Sequence, residues 1–263
     1  MIKLAINGAA GRMGARLIDL ASSNDQFEIV AAVEPQSHPK SGSDAGQLAG
    51  IGDLGIQIGP AFSDETQVVI DFSTPEGADR AIDYCDQKGI GLVMATTGLK
   101  PETTAAIESA AANIPIVFAP SMSLAVNLSM KLVEMAGTAL KDHSSGVDVE
   151  IIERHHRFKV DSPSGTALRF GQIVAEAMGQ TNHQHGREGL IGQRPANEIG
   201  YHAVRAGDNP GEHTILFGML GETIELKVAA SNRDCYAAGA LAAAAFVANT
   251  KPGLYSMYDV LGF

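Results

Sequence analysis

The chain of 263 residues carries 19 Lys and Arg against 30 Asp and Glu, and its formal net charge of −11 disfavours nucleic acid as the main partner because a polyanion would be repelled. Hydrophobic residues make up 45% of the chain and charged residues 19%, a balance typical of a globular protein with a sizeable core. The two cysteines, Cys85 and Cys235, cannot form a disulfide framework, and no signal peptide or membrane-spanning run is predicted. We therefore expect a cytoplasmic protein with no membrane partner.

The first half of the chain alternates apolar, strand-like segments with amphipathic, helical ones. The predicted strands are Ile2–Asn7, Glu28–Glu34, Gln67–Phe72, Gly91–Thr96 and Ile114–Ala119, and the predicted helices are Arg12–Ser22, Pro75–Lys88 and Pro101–Ala112. Strands that alternate with helices indicate βαβ units around a parallel sheet. The sequence therefore predicts an α/β protein whose N-terminal domain has a Rossmann-type parallel sheet.

The second half of the chain has a different pattern. A helix is predicted over Leu124–Leu140, a strand over Val147–Arg154 and a helix over Ser164–Met178, followed by a polar stretch, Gln180–Asn197. Three further strands are predicted over Gly200–Arg205, His213–Met219 and Thr223–Ala229, and helical character returns at Tyr236–Val247. Leu220-Gly221-Glu222 is a hairpin signal between the last two strands. This pattern predicts a second α+β domain with a mixed or antiparallel sheet.

A glycine-rich loop, Gly8-Ala9-Ala10-Gly11-Arg12-Met13-Gly14, follows the first predicted strand and opens the first helix. Glycines there allow a tight turn and close approach of a pyrophosphate to the helix N-terminus. Glu34 comes twenty residues after Gly14, where an acid accepts hydrogen bonds from the adenosine ribose. The spacing is not a strict GxGxxG, and a turn that binds nothing is the alternative.

The predicted acid also bears on the choice of cofactor. A carboxylate at Glu34 would repel the 2′-phosphate of NADPH, and the next residues, Pro35 and Gln36, offer no arginine to offset that repulsion. Lys40, in the following loop, is the nearest cation that could do so. We therefore expect NADH to be used at least as well as NADPH.

A cationic cluster lies in the second half. Five of the six residues over 154–159 are basic or histidine, in a chain that is acidic overall, which suits a small anionic substrate. Ser162 is predicted to cap the next helix and Pro163 to be its first residue, so that N–H groups near Gly165 and Thr166 could hold a carboxylate. The alternative is a solvated loop before an ordinary helix. No metal site is expected, because neither His155-His156 nor the histidines over 182–185 have convincing ligand spacing.

Residues 153–167 read Glu-x-His-His-x-x-Lys-x-Asp-x-Pro-Ser-Gly-Thr-Ala, which resembles the signature of the dihydrodipicolinate reductase family. Other stretches similar to that family occur in the same order along nearly the whole chain, at 8–14, 71–73, 96–98, 123–127, 205–208 and 211–214. The resemblance implies NADH- or NADPH-dependent reduction of a cyclic imine dicarboxylate on the route to diaminopimelate and lysine.

The resemblance also assigns roles to residues. It implies that His155 is the general acid, that Lys159 is a second proton donor that also binds substrate, and that His156, Gly165 and Thr166 bind substrate carboxylates. The cofactor would be bound by Gly8, Ala9, Ala10, Gly11, Arg12, Met13 and Glu34, with Ala95, Thr96, Thr97, Ala119, Pro120, Ser121 and Met122 at the nicotinamide end. Two departures from the family pattern are Pro35, where a basic residue is frequent, and Met122, where an aromatic residue is frequent.

The resemblance further implies a dinucleotide-binding domain at residues 1–123, completed by 232–263, and a substrate-binding domain at 124–231 whose sheet forms a homotetramer. Two alternative functions stay open at this point. One is another two-domain dehydrogenase, of the aspartate-semialdehyde or homoserine kind; the former would need a nucleophilic cysteine. The other is a nucleotide-sensing protein without catalysis.

Overall fold

The computed structural model describes all residues from Met1 to Phe263 and divides into two compact units. The N-terminal unit comprises Met1–Leu124 and Arg233–Phe263, and the central unit comprises Ala125–Asn232. These bounds differ by one residue at each crossing from the predicted division. None of the helices combines the length and the apolar character needed to span a membrane.

The elements are numbered in chain order. The strands are β1 Ile2–Asn7, β2 Phe27–Val33, β3 Ile58–Gly59, β4 Val68–Asp71, β5 Gly91–Met94, β6 Pro115–Phe118, β7 Asp148–His155, β8 Asn182–His185, β9 Glu198–Arg205, β10 Glu212–Met219, β11 Glu222–Ala229 and β12 Gly253–Tyr255. The helices are α1 Arg12–Ser22, α2 Ala45–Ala49, α3 Pro75–Lys88, α4 Pro101–Ala110, α5 Leu124–Leu140, α6 Gly165–Met178, α7 Asp234–Val247 and α8 Met257–Leu261.

The N-terminal unit is built on a seven-stranded parallel sheet with the order β12-β6-β5-β4-β1-β2-β3. Apolar residues of α1 and α7 cover one face, and those of α3 and α4 cover the other, which explains why the strands are apolar on both sides. β2 and β3 lie on one side of β1, whereas β4 and the strands that follow it lie on the other side, so the strand order reverses between β1 and β4. Ligands of such sheets bind beyond the strand ends at this switch point. The Rossmann-type prediction is confirmed.

The central unit has a five-stranded mixed sheet with the order β11-β10-β7-β9-β8. β7 pairs in parallel with β9 and antiparallel with β10, and the predicted hairpin joins β10 to β11. Side chains of β7 alternate, so that Val149, Ile151, Glu153 and His155 are buried on one face. α6 packs on β7 and β9, where Gly171 leaves the space that the Tyr201 hydroxyl occupies. The mixed-sheet prediction is also confirmed.

The structure corrects one predicted helix start and adds short elements. α6 begins at Gly165, so the prediction that Ser162 caps it and Pro163 is its first residue is wrong. Ser164 is the cap, because its hydroxyl accepts the Ala167 N–H at 3.2 Å, while the Ser162–Pro163 peptide is cis and precedes the helix. The polar stretch over 180–197 contains β8, which is held by pairing with β9 rather than by an apolar pattern. The short elements α2, β3, β12 and α8 were not predicted.

Candidate functional site

The loop after β1 is packed tightly against neighbouring backbone. The N–H groups of Gly8 and Ala9 donate to the Val33 carbonyl at 3.0 and 3.3 Å. Gly8 has a φ of +82°, and a Cβ there would overlap the Phe72 carbonyl oxygen. A Cβ at Gly14 would overlap the Gly8 carbonyl oxygen in the same way. Two of the three loop glycines are therefore required by close backbone contacts.

The third loop glycine is less crowded than the other two. Gly11 is the N-cap of α1 and supplies no side-chain acceptor, and a Cβ there would have only the Gly8 oxygen, at 3.1 Å, within 4 Å. The first N–H groups of α1, on Arg12 and Met13, thus have no capping side chain. Free N–H groups and the positive end of the helix dipole form a site that fits the pyrophosphate of a dinucleotide.

Glu34 and the loop come together, as their spacing predicted. The Glu34 carboxylate accepts the Ala10 N–H at 2.9 Å, and both residues line a cavity of about 310 Å³ beside the loop. Pro35, His38 and Arg80 line the same cavity. Sequence reasoning missed His38 and Arg80, because Arg80 comes from the exposed face of α3 and no local pattern brings it to this loop.

A buried carboxyl group organises the switch point between β1 and β4. Oδ1 of Asp71 accepts the Ser73 N–H at 2.8 Å, the Thr96 hydroxyl at 3.1 Å and the Asn7 amide at 3.3 Å. Oδ2 of Asp71 is buried without a partner, and burial raises the pKa of this carboxyl despite its hydrogen bonds. Thr96, a predicted cofactor residue, is therefore held in place by Asp71, to which sequence reasoning gave no role.

The other predicted residues of the nicotinamide end follow β5 and β6 at the same edge of the sheet: Ala95, Thr97, Ala119, Pro120, Ser121 and Met122. The N–H groups of Ala95 and Ala119 extend the sheet pairing to Asp71 and Met94. Thr97 and Pro120 are exposed, whereas the Met122 side chain is 1% exposed and packs in the apolar core. The Met122 side chain therefore contributes to packing.

In the central unit, Glu153 is the centre of a polar cluster. Its carboxylate is 1% exposed and accepts four hydrogen bonds: from His155 Nδ1 at 2.5 Å, from the two Arg205 Nη atoms at 2.7 and 2.8 Å, and from the Ser164 N–H at 3.0 Å. Glu153 and His155 lie on the same face of β7 because they are two residues apart. Because alternate residues of a strand share a face, the sequence could have indicated that Glu153 lies beside His155 in the site.

The cluster fixes the ionisation of its members. Burial alone would raise the pKa of Glu153, but the hydrogen bonds from Arg205, His155 and Ser164 outweigh it and lower the pKa. Burial lowers the pKa of His155, and Glu153 opposes that effect. Because Nδ1 is bound to Glu153, Nε2 is the ring atom through which His155 can transfer a proton, and it lies near Gly211, where a Cβ would be 2.9 Å away.

A second buried histidine adjoins this cluster. Nε2 of His213 lies 3.0 Å from the Ser164 hydroxyl, and its ring packs edge-on against that of His155 with centroids 5.2 Å apart. Burial lowers the pKa of His213 to about 4, so its ring is neutral at pH 7. Residues 211–214 resembled the family, but the sequence indicated no role for His213.

Lys159 is brought into range of His155. Its ammonium pairs with the Asp161 carboxylate at 2.8 Å, and its charge contributes to lowering the pKa of His155. The side chain is half-buried, with 22% exposure. Both predicted proton donors therefore lie in one electrostatic environment.

The predicted carboxylate-binding residues lie on two segments. Gly165 and Thr166 form the first turn of α6. Of the N–H groups in that turn, the Ser164 cap hydroxyl accepts only that of Ala167, so the N–H groups of Gly165 and Thr166 remain available as donors. His156 follows β7, and its ring Nδ1 is buried without a partner. Its carbonyl accepts the Lys159 N–H at 3.2 Å, and its ring packs against that of Phe158 with centroids 6.1 Å apart.

Neither thiol is an activated nucleophile. Cys85 is fully buried and Cys235 is half-buried, and burial raises the pKa of both. This argues against a dehydrogenase that depends on a nucleophilic cysteine. No group of three or more His, Cys, Asp or Glu side chains is placed to bind a metal ion.

Comparisons with known proteins bear on the family and the fold of the chain. The family model described as dihydrodipicolinate reductase, N-terminus, matches residues 2–122, and the model for the C-terminus of the same family matches residues 125–261. A 4-hydroxy-tetrahydrodipicolinate reductase of Rhodopirellula baltica is 56% identical and covers 99% of this chain and 96% of its own. A protein of the same name from Alkalilimnicola ehrlichii is 49% identical and covers 99% and 98%. Among solved structures, a dipicolinate-bound dihydrodipicolinate reductase from Paenisporosarcina sp. TG-14 has a TM-score of 0.78 at 26% identity and covers 97% of both chains.

Proposed function

The chain belongs to the dihydrodipicolinate reductase family, and we propose that it reduces 4-hydroxy-tetrahydrodipicolinate to tetrahydrodipicolinate in the biosynthesis of diaminopimelate and lysine. In this reaction the substrate loses one water and gains one hydride and one proton. A bound reduced pyridine nucleotide supplies the hydride. The observation that carries the proposal is the buried Glu153–His155 pair beside the open N-terminus of α6, which places a proton donor close to a carboxylate site.

His155 and Lys159 act as the proton donors in this proposal. Burial keeps the pKa of His155 low in the free protein, which disfavours its charged form. A substrate with two carboxylates brings negative charge to the site, and that charge raises the pKa of His155 and favours the protonated ring. The bound substrate would thus favour protonation of the His155 ring, which then donates a proton to it.

The substrate carboxylates are assigned to two positions. The first is the N-terminus of α6, where the N–H groups of Gly165 and Thr166 point outward and the helix dipole favours an anion. The second is His156, whose buried Nδ1 has no partner within the protein. The dipicolinate-bound relative supports a planar dicarboxylate ligand, and we expect dipicolinate to inhibit this protein competitively.

For the cofactor we propose that NADH is used at least as well as NADPH. Glu34 holds its carboxylate beside the loop, where it can accept hydrogen bonds from the ribose hydroxyls and repel a 2′-phosphate. His38 and Arg80 line the same cavity and would partly offset that repulsion. We therefore expect NADPH to be accepted, but not preferred.

The domain roles, assembly and location follow the family resemblance. We assign the cofactor to the N-terminal unit and the substrate to the central unit, in a cytoplasmic homotetramer. The sheet face of the central unit opposite Glu153 supports the assembly, since Ile152 and Val204 there are 40% and 43% exposed. Light scattering after size-exclusion chromatography tests it, and a monomeric mass would exclude it.

The decisive experiment is NADH oxidation with substrate generated in the cuvette by the preceding synthase from pyruvate and aspartate semialdehyde. We expect rapid oxidation by the wild type and loss of turnover in a His155→Gln, Lys159→Ala double variant that still binds NADH. Parallel runs with NADPH measure the cofactor preference. Absence of oxidation in a wild-type protein that binds NADH would refute the substrate assignment and leave another two-domain dehydrogenase or the nucleotide-sensing protein as the alternatives.

A further inference from the structure

One carboxylate links three elements of the central unit. Glu153 lies on β7 and accepts hydrogen bonds from His155 on the same strand, from Arg205 at the end of β9, and from the backbone of Ser164 at the cap of α6. Arg205 also donates to the Asp161 carbonyl at 2.8 Å, and the Asp161 side chain pairs with Lys159. The groups proposed to donate protons and to hold a carboxylate are thus connected through Glu153.

We propose that Glu153 is the positioning residue of this site: it holds the proton of neutral His155 on Nδ1, sustains the basicity of that ring, and anchors the first turn of α6. The inference rests on the proposed function, because it gives Glu153 a role in the proton transfer assigned to His155. Glu153 itself has no exposed surface to offer a substrate, so it acts through its partners.

The charges around His155 determine the direction of the effect. Glu153 faces its ring from β7, Arg205 from β9, His213 from β10 and Lys159 from the following loop. Glu153 is the only anion among them, so its removal would leave the imidazolium facing cations and a neutral ring. An imidazolium in such surroundings is less stable, and His155 would lose its proton at lower pH.

Glu150 provides a matched control for a general loss of stability. It lies on the same strand as Glu153 but on the opposite face, and its carboxylate is likewise tied to arginines, Arg187 and Arg194. Burial alone would raise the pKa of Glu150, but hydrogen bonds from Arg187, His202 and Arg194 lower it to about 2. Glu150→Gln therefore removes a comparable ion-paired carboxylate from β7 without touching His155.

The test compares pH profiles of kcat/KM for wild type, Glu153→Gln, Glu153→Asp and Glu150→Gln. For Glu153→Gln we expect kcat to fall at least about tenfold and the descending limb to move down by about one pH unit, with NADH affinity retained. The descending limb of Glu153→Asp should lie between those of the wild type and Glu153→Gln, and Glu150→Gln should leave the limb in place. A limb that stays unmoved in Glu153→Gln, or that moves equally in both glutamine variants, would overturn the proposal.

Arg205→Gln is the second variant, and it tests the proposal even if Glu153→Gln does not fold. The Arg205 charge lowers the pKa of His155, so its removal should move the limb to higher pH, opposite in sign to the Glu153 variant. A purely structural role for the cluster would lower kcat in Arg205→Gln without raising the limb, and that result would also overturn the proposal.

A readout without turnover separates this inference from the proposed function. The NMR signals of the His155 ring in ¹⁵N-histidine-labelled protein are assigned by their absence in His155→Gln. In the wild type they should show the Nδ1–H tautomer, and in Glu153→Gln the ring should titrate at lower pH than in the wild type. If the wild type shows no reductase activity but these shifts occur, the proposed function fails, whereas the control of the His155 tautomer and pKa by Glu153 stands. If turnover is present and the shifts are absent, the positioning role fails alone.

Discussion

His213 Nε2 and the Ser164 hydroxyl lie 3.0 Å apart in the interior of the central unit. This contact joins β10 to the cap of α6, where the backbone N–H of Ser164 is bound to Glu153. The same hydroxyl accepts the Ala167 N–H, and the Ser164 carbonyl accepts the Leu168 N–H at 3.0 Å, so Ser164 takes part in four hydrogen bonds. The start of the helix is therefore held from both β7 and β10.

The neutral state of His213 predicts a pH-dependent stability. In the unfolded chain a histidine takes up a proton near pH 6.5, whereas burial lowers the pKa of His213 to about 4 in the folded protein. The free energy of unfolding should therefore decrease as the pH falls from 6.5 to 4, by up to ~3 kcal/mol from this residue. Urea unfolding of wild type and His213→Gln at pH 7 and pH 4.5 measures the effect. Equal losses in both proteins would contradict this prediction.

Ser164→Ala should destabilise the central unit and weaken substrate binding. The variant loses the helix cap and leaves His213 Nε2 buried without a partner, at a cost of about 2 kcal/mol. KM for the dicarboxylate should rise, because the first turn of α6 is less well held, while the Kd for NADH stays unchanged. Ser129→Ala in α5 is the control, since that exposed hydroxyl only donates to the Ala125 carbonyl. Similar losses of stability in the two variants would count against the role of Ser164.

Two loop glycines should respond differently to alanine. In Gly14→Ala the new Cβ overlaps backbone oxygens of Gly8 and Ala9, so we expect a loss of stability of about 1–3 kcal/mol. In Gly11→Ala the Cβ would lie 3.1 Å from the Gly8 carbonyl oxygen, a tight contact that a small shift relieves, so stability should fall less than in Gly14→Ala while the Kd for NADH rises at least about tenfold through obstruction of the pyrophosphate. Thermal unfolding and fluorescence titration with NADH measure both. Unchanged NADH binding in a folded Gly11→Ala would place the pyrophosphate elsewhere.

Glu34→Gln should shift the cofactor preference towards NADPH. The amide oxygen can still accept the Ala10 N–H, so the loop keeps its geometry, but the charge that repels a 2′-phosphate is gone. We expect the ratio of kcat/KM for NADPH to that for NADH to rise about tenfold. Glu28→Gln, an exposed acid on β2, is the control for a change in net charge. A ratio that moves equally in the two variants would refute a specific role for Glu34.

The sequence predicted those parts of the fold that are encoded by local patterns. The β1–α1 segment was placed correctly because an apolar run precedes a glycine-rich helix start. The predicted bounds of α3, Pro75–Lys88, match the structure, in which Thr74 and Gly89 cap the two ends. β8 was missed because its residues are polar and its conformation depends on pairing with β9. Similarly, Ser162 was preferred to Ser164 as the helix cap because two serines flank Pro163.

The candidate site was predictable only in part, for a related reason. His155 and Lys159 belong to a signature that is contiguous in sequence, and the same segment contains Glu153. The contact of Glu153 with Arg205 spans 52 residues, and that of Ser164 with His213 spans 49. Sheet pairing creates such contacts, and no local pattern specifies which distant arginine or histidine meets a given strand.

The discontinuity of the N-terminal unit has a consequence for how the protein is made. α7 and β12 belong to this unit, where β12 pairs with β6 and α7 covers β4 and β5, yet both are synthesised after the whole central unit. While the ribosome is still translating, a nascent chain can complete the central unit but holds an unfinished N-terminal sheet with an exposed apolar face. The N-terminal sheet can therefore be completed only after Arg233–Phe263 have been synthesised, and a chain truncated before Arg233 will expose an apolar face of that sheet that favours aggregation.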